Sequence, residues 1–362
     1  MRRLLLLIPA VFALAVAVAP AAYAAKPRGA AKPRIMLPDI DQAPVGCPGG
    51  YKGDPTQCRD WDVCMVADAS DPNAPCQTDG PIQAVRLRFT SSEDNVGDGP
   101  LLIYARRAPG AARMRIRQAF ALSNGTVPGS YAAAQRAIPD PSADYVYYEP
   151  ALAHRHWHLQ NFEHFQLRST GGAILVKDVK NGVCLGDRYT AAAAGRLKNV
   201  PVEEKDSKPL DRLAFDLGRF DPRNPPNTNN CHHLQTPQSS LRELREGISV
   251  GAGDDYDYQI DYQWLDITHV PSGNYLVVNQ ANADRALREK RYSNDAASML
   301  VSIQWPDGAA QAPDAVTAAP TVTMLNNCPD TATCAPRTSG SRARVRAQVA
   351  FGGPLGDEAS LF

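Results

Sequence analysis

Short stretches in which apolar and polar residues alternate are the clearest structural signal in this chain. In an extended segment such as residues 84–89, side chains two positions apart point to the same face. Helical periodicity is scarce, while proline and glycine are frequent. On this basis the sequence predicts strands at residues 84–89, 101–104, 173–176, 262–267, 275–278 and 299–303, and one long strand or a strand pair at 157–167.

The segments between these strands complete the predicted architecture. Turn residues at 271–274 predict a hairpin between the strands at 262–267 and 275–278. Residues 239–246 are expected to form a short helix, and the alternating pattern weakens from residue 105 to 150. The length favours one large domain over two ordinary ones. The predicted fold class is therefore mainly β, a single β-sandwich-like domain with long disulfide-stapled loops.

The amino-terminal residues predict export. Residues 1–24 have the three parts of a secretory signal peptide, namely a basic start, an apolar run and the cleavage signal Ala22-Tyr23-Ala24. The apolar run is too short for a convincing membrane span, and no later segment resembles one. We therefore expect a secreted, extracellular protein. The short signal is compatible with a bacterial source.

Changes in composition divide the rest of the chain. Residues 25–45 are rich in alanine, proline and lysine and are expected to form a flexible leader. Residues 46–310 are expected to form the main folded domain, and its first part, residues 46–80, holds four cysteines and predicts a Cys-rich cap. Alanine, proline, threonine and arginine dominate near the end, so residues 311–362 are expected to be a low-order tail.

Charge and cysteine content narrow the partners and the compartment. The 38 basic and 38 acidic residues cancel to a formal net charge of zero. No strong basic field argues for nucleic acid or an anionic membrane as a partner, and we expect a monomer. The eight cysteines are an even number, and export permits disulfides. Spacing alone leaves their pairing open.

Four of the seven histidines fall within one short stretch. His154, His156 and His158 alternate, and His164 follows closely. On a strand, the three alternating imidazoles share one face and can converge on one ion. Imidazole suits copper, zinc, iron and nickel, and three ligands leave a coordination position open for reaction. The alternative is a polar face of solvated or hydrogen-bonded histidines.

Other chemical signatures are absent or ambiguous in the sequence. It contains no G-x-S-x-G elbow, phosphate-binding glycine loop or dinucleotide fingerprint. The acidic cluster of Asp254, Asp255 and Asp257 is as compatible with a solvated or calcium-binding loop as with a catalytic pair. The residues alone therefore indicate a secreted, β-rich protein with a mononuclear metal site.

Five collinear motifs add a family resemblance between about residues 55 and 305. They are H-R-H-W-H at 154–158 with H-F-Q-L at 164–167, K-N-G-V-C-L at 180–185, G-I-S-V-G at 247–251 with D-D-Y at 254–256, D-Y-Q-W-L-D-I-T at 261–268, and Y-S-N at 292–294. In this order they resemble the lysyl oxidase family, the copper-dependent protein-lysine amine oxidases. Five motifs in one order are far more specific than any one of them.

The resemblance implies a reaction and the residues that carry it out. His154, His156 and His158 would bind copper, and Lys180 and Tyr256 would be joined as the organic cofactor lysine tyrosylquinone. His164 would act as the general base or orient it. The reaction would convert a primary amine, either peptidyl lysine or a small amine, to an aldehyde. Molecular oxygen would be consumed, and ammonia and hydrogen peroxide released.

Two other functions remain open at this point. The chain could be a secreted copper-binding module without a competent quinone, or an iron or zinc hydrolase.

The resemblance also bears on the disulfide pairing. A Cys58–Cys64 bridge follows from a similar bridge in the family, and Cys184–Cys231 would hold the cofactor loop. Cys328–Cys334 and, by elimination, Cys47–Cys76 complete the expected set.

Overall fold

The structure is a computed structural model. It describes residues 32–54, 57–138, 145–150, 155–178, 180, 182–191, 239–259, 262–336, 345–346 and 348–349. Contacts separate two compact units, Met1–Pro33 and Arg34–Phe362, and the fold below is that of the second. Among the described residues, no helix has both the length and the apolar character needed to span a membrane.

Short strands make up almost all regular structure in the described residues, so the predicted mainly-β class is confirmed. In chain order the strands are β1 (Ile40–Gln42), β2 (Trp61–Val66), β3 (Ala84–Phe89), β4 (Ser91–Asn95), β5 (Leu101–Arg106), β6 (Arg113–Ala119), β7 (Arg136–Ala137), β8 (Val146–Tyr148), β9 (Trp157–Leu159), β10 (Glu163–Ser169), β11 (Ile174–Lys177), β12 (Tyr189–Thr190), β13 (Glu243–Ile248), β14 (Ala252–Tyr256), β15 (Trp264–Asp266), β16 (Gly273–Ala281), β17 (Ala296–Gln304), β18 (Thr321–Cys328), β19 (Val345–Arg346) and β20 (Gln348–Val349). A 3-10 turn, Pro306–Gly308, follows β17.

The strands form four sheets. Sheet I has the order β1-β4-β14-β12, and sheet II has the order β11-β10-β16-β17-β18-β19. Sheet III runs β13-β5-β6-β8-β9, with β7 paired to β6, and sheet IV runs β15-β3-β2-β20. Neighbouring strands are antiparallel except β2 and β20. Half of the paired strands are not consecutive in the chain, so the fold depends on long-range pairing as well as on hairpins.

Two hydrophobic cores hold these sheets. Sheets II and IV share one core, in which the Phe89 and Phe165 rings lie edge to face with centroids 4.9 Å apart. The two sheets pack face to face around this core, which makes that part of the fold sandwich-like. The second core joins residues of sheets I and III, including the fully buried Trp157 and the Tyr256 ring. The residues of the candidate site lie against this second core.

Two local predictions are wrong. Residues 239–246 form no helix, because strand β13 pairs along β5 and buries Leu244, Glu246 and Ile248 in alternation. A glutamate at an inward position hid this strand pattern. The hairpin is also wrong, because β15 pairs with β3, whereas β16 pairs with β10 and β17. A turn signal shows where the chain reverses, but it does not identify the strand partner.

Ordered strands also occur where the sequence predicts little structure. Strand β1 lies within the expected leader, and β2 in the expected cap is a central strand of sheet IV. Strand β6 lies where the alternating pattern weakens, and it buries Met114 and Ile116. Strand β18, in the expected low-order tail, pairs along β17 and buries Val322 and Met324. Each segment gains its order by adding to a sheet formed elsewhere in the chain.

The disulfides correct half of the expected pairing. Cys47 bonds to Cys58 and Cys64 bonds to Cys76, so the Cys58–Cys64 and Cys47–Cys76 predictions are wrong. Cys64 lies within strand β2, whereas Cys58 precedes that strand. The Asp60 N–H donates to the Gly46 carbonyl at 3.0 Å, which holds Cys58 beside Cys47. Cys328–Cys334 is confirmed. Cys184 is disulfide-bonded, and its predicted partner Cys231 lies outside the described residues.

Candidate active site

His156 and His158 form a buried pair where strand β9 begins, with His156 one residue before the strand. Their side chains alternate with Trp157, which faces the second core, so both imidazoles lie on the other face of the chain. Both histidines are at most 1% exposed, and their Nε2 atoms are 2.7 Å apart. His154 lies outside the described residues. Within the described part, no group of three potential ligands is arranged to hold a metal.

The segment after Lys180 is hydrogen-bonded to strand β9. Val183 and Leu159 exchange backbone hydrogen bonds of 2.7 and 2.9 Å. Gly182 has a φ of +100°, and a Cβ there would lie 2.7 Å from the Leu159 carbonyl oxygen and 3.1 Å from the His158 Cβ. Glycine is required at this close crossing. The crossing brings the histidine pair and the Lys180 segment together.

We expect Gly182→Ala to separate these two segments. An alanine adds strain at positive φ and meets backbone that cannot move without breaking the Val183–Leu159 pairing. The loss in unfolding free energy should exceed about 1 kcal/mol, measured by thermal or urea unfolding. Gly172→Ala is the matched control, because Gly172 has a φ of +91° but open space around it. Equal losses in the two variants would mean that the crossing adds nothing beyond backbone strain.

The Lys180 ammonium lies over the ring of Tyr256. Its Nζ is 4.2 Å from the ring centroid, and the side chain is only 4% exposed. It donates a hydrogen bond to the Gln263 side-chain oxygen. The Gln263 amide in turn donates to the backbone oxygens of Phe89 and Tyr256, at 2.6 and 3.0 Å. Gln263, from the Q-W motif, therefore fixes the amine against the tyrosine.

A buried carboxylate completes the surroundings of the amine. Glu163 Oε2 is 3.4 Å from Lys180 Nζ and accepts a hydrogen bond from Ser91 Oγ at 3.2 Å. Gln42 Nε2 donates to the other oxygen of Glu163, also at 3.2 Å. Burial raises the pKa of Glu163, while Lys180 opposes the rise. The lysine and the glutamate thus form an ion pair shielded from water.

The Tyr256 hydroxyl lies within hydrogen-bond distance of two acceptors. It is 2.7 Å from the Cys184 carbonyl oxygen and 2.9 Å from Asp254 Oδ2. The Arg188 Nε lies 3.1 Å from Asp254 Oδ1, and the Gly186 N–H donates to Oδ2 at 2.9 Å. Burial raises the pKa of Asp254 to about 7, although Arg188 opposes the rise. Asp254 is therefore a buried carboxyl that can change protonation near neutral pH.

Two further acids lie close to this group. Glu93 and Glu246 are fully buried, and burial raises the pKa of both carboxyl groups well above the ordinary value. Burial therefore favours the uncharged form of both. Two ion pairs lie among these groups, Lys180 with Glu163 and Arg188 with Asp254. The tyrosine ring lies between them.

His164 lies on the other face of β10. Glu163 and Phe165 point toward Lys180, so the side chain between them points away. The half-buried His164 lies near Asp178. Burial raises the pKa of Asp178, while the Phe165 N–H and the charge of His164 lower it. The structure therefore brings Lys180 and Tyr256 into contact, whereas the His164 side chain points away from them, toward Asp178.

Sequence reasoning missed the carboxylates of this site. Asp254 was expected to be solvated as readily as catalytic, yet it is fully buried. Glu93 and Glu163 carried no motif signal, because an acid in an alternating strand normally indicates a solvated face. Glu93 and Asp254 come together only because β4 pairs with β14, which sets the two residues opposite each other.

Comparison with known proteins supports the family resemblance. The lysyl oxidase family model matches residues 227–310. Lysyl oxidase homolog 2 of Gallus gallus is 46% identical over 50 residues, 14% of this chain and 6% of that protein. Lysyl oxidase homolog 2B of Danio rerio is 27% identical over 143 residues, 39% of this chain and 14% of that protein. Protein-lysine 6-oxidase of Sus scrofa is 42% identical over 50 residues, 14% of this chain and 20% of that protein. The chain thus covers only a small part of these relatives' lengths.

Proposed function

Because the resemblance to the lysyl oxidase family is confirmed at residues 227–310, we propose that this chain is a secreted copper- and quinone-dependent amine oxidase. It converts a primary amine, either peptidyl lysine or a small amine, to an aldehyde. Ammonia and hydrogen peroxide are released, and molecular oxygen is the oxidant. The observation that carries this proposal is the Lys180 Nζ, 4.2 Å from the centroid of the Tyr256 ring.

His154, His156 and His158 are the proposed copper ligands. The fit rests on the buried pair, because two Nε2 atoms only 2.7 Å apart suit a shared cation. Nitrogen donors of this kind are good copper ligands. Copper would supply the redox chemistry that activates oxygen for oxidation of the Tyr256 ring. The hydrogen bonds between Val183 and Leu159 join the Lys180 segment to the strand that carries His158.

Lys180 and Tyr256 are the proposed precursors of lysine tyrosylquinone. The amine faces the ring and is held there by Gln263 and Glu163, so little motion is needed for a bond between them. A neutral amine is the attacking species, and Glu163 is placed to take up its proton. The finished quinone would supply the electrophilic carbonyl that captures a substrate amine.

Secretion of the chain is part of this proposal. The signal peptide at residues 1–24 leads it out of the cell, where oxygen is available. The disulfides among the described residues are consistent with an oxidising compartment. The catalytic domain covers residues 46–310, and the protein acts as a monomer on a primary amine or a lysine-bearing protein.

The linked cofactor is the most direct test of the function. Copper-loaded, aerated protein should be digested and analysed by mass spectrometry. The peptides of Lys180 and Tyr256 should appear as one species with one oxygen gained and four hydrogens lost. Copper-free protein kept without oxygen is the control, and its two peptides should stay separate. Separate peptides in the copper-loaded sample as well would leave a secreted copper-binding module without a competent quinone.

His164 is the proposed general base, or the residue that orients it. An imidazole titrates near neutral pH, and Asp178 beside it can hold its orientation. His164→Gln should keep the linked cofactor and slow amine oxidation about 100-fold or more. Hydrogen peroxide release from n-butylamine measures the rate. His269→Gln, at an exposed histidine, is the matched control. Unchanged peroxide release from His164→Gln would remove His164 from the mechanism.

A further inference from the structure

The Tyr256 hydroxyl is hydrogen-bonded in a way that the proposed function does not explain. Cofactor formation begins with oxidation of a phenol, and a phenol gives up electrons far more readily after it loses its proton. Tyr256 is 1% exposed and Asp254 is fully buried, so bulk water is not beside this hydroxyl. The proton therefore needs an acceptor within the protein.

We propose that Asp254 is the residue that removes the hydroxyl proton of Tyr256 and so starts formation of the linked cofactor. This inference rests on the proposed function. In the step, the O–H bond of Tyr256 breaks and an O–H bond forms on Asp254 Oδ2. The electron pair stays on the phenolate oxygen. The oxidation of the ring that follows delivers its electrons to molecular oxygen.

The geometry selects Asp254 over the other acceptor. The hydroxyl lies 2.7 Å from the Cys184 carbonyl and 2.9 Å from Asp254 Oδ2. A backbone carbonyl is far too weak a base to keep a proton, whereas a carboxylate can. Asp254 and Tyr256 are two residues apart on β14 and so share one face of the strand. The acceptor is therefore fixed at hydrogen-bond distance by the strand itself.

The neighbouring charges keep Asp254 ready to accept a proton. Arg188, 3.1 Å away, is its counter-charge and favours the ionised carboxylate. Lys180 is paired with Glu163 and does not compete for it. The titratable and charged groups that face Asp254 are Arg188, Tyr256, Glu93 and Glu246, and Asp255 acts on it more weakly from the other face of β14. Among them, Arg188 is its positive partner and Tyr256 is its proton donor.

The test measures the rate of cofactor formation against pH, using the full chain loaded with copper. Oxygen starts the reaction, samples are digested at intervals, and the linked peptide is quantified by mass spectrometry. Copper content is determined at each pH. In the natural chain the rate should rise with a midpoint near pH 7 and then level off, because burial raises the pKa of Asp254 to about 7.

Asp254→Asn should move this rise to higher pH. The phenol must then ionise unaided, and because a free tyrosine in water ionises only near pH 10, the rate at pH 8 should fall about 100-fold or more. Asp255→Asn is the matched control, because Asp255 lies on the other face of β14 and accepts the Gly49 N–H instead. Its midpoint should stay near that of the natural chain.

The possible outcomes are distinguishable. An Asp254→Asn variant with the natural midpoint, or one slowed equally at every pH, would overturn the proton transfer and leave the amine oxidase proposal intact. No linked peptide in the natural chain would overturn both. If Asp254→Asn fails to fold, the pH dependence of cofactor formation in the natural chain still tests the proposal. A rate that climbs without a break up to pH 10 would then reject Asp254 as the acceptor.

Discussion

Replacing Tyr256 by phenylalanine should give a protein that binds copper, stays colourless and oxidises no amine. Phenylalanine keeps the ring in the second core but lacks the oxygen at which ring oxidation begins. The lost hydrogen bonds to Cys184 and Asp254 should cost about 1 kcal/mol, which a folded domain of this size tolerates. Copper content, quinone staining and peroxide release from n-butylamine measure the three properties.

Two further variants sharpen this result. Lys180→Ala should also bind copper and form no linked peptide, because the amine that faces the ring is gone. Tyr258→Phe is the matched control, since Tyr258 is a neighbouring tyrosine whose ring lies near Arg88, away from Lys180. Tyr258→Phe should form the coloured quinone and oxidise amine at the same rate as the natural chain. Amine oxidation by Tyr256→Phe at the natural rate would mean that another residue forms the cofactor.

The second large effect is expected at the histidines. Alanine at His156 or His158 should remove most of the bound copper, because each removes one of two buried ring nitrogens that lie 2.7 Å apart. Without copper the linked peptide should not form either. Copper per chain is measured by atomic absorption after dialysis, and the linked peptide is measured by mass spectrometry.

The matched control for the copper measurement is His269→Ala, at an exposed histidine. It should retain the natural copper content. A triple variant, with alanine at His154, His156 and His158, should bind none. Copper at the natural stoichiometry in this triple variant would show that the metal site lies elsewhere.

Local patterns in the sequence predicted individual strands well. Strand β3 has the predicted limits, and β17 contains the predicted segment, because each alternation or apolar run is a property of neighbouring residues. Partners are a property of the whole fold. The Pro271 turn suggested that β15 and β16 pair with each other, yet β15 lies on β3 in another sheet. No local pattern contained that information.

The site was predicted to the extent that motifs mark it. The family resemblance named Lys180 and Tyr256, and the structure brings these residues into contact. The carboxylates around them could not be identified in advance. Glu163 sits beside His164, and its sequence neighbourhood is that of any strand. Its role depends on a lysine that reaches it from another segment.

The contact between Lys180 and Tyr256 also has a mechanical consequence. The two residues belong to segments far apart in the chain, so a bond between them would close a long loop. Covalent closure of loops between roughly 15 and 100 residues stabilises a fold by about 3–5 kcal/mol, through the reduced freedom of the unfolded chain. The disulfide at Cys184 already limits part of that freedom, so the gain here would be smaller. Formation of the proposed cofactor would therefore also be a maturation step, after which the protein would resist heat better than its newly folded precursor.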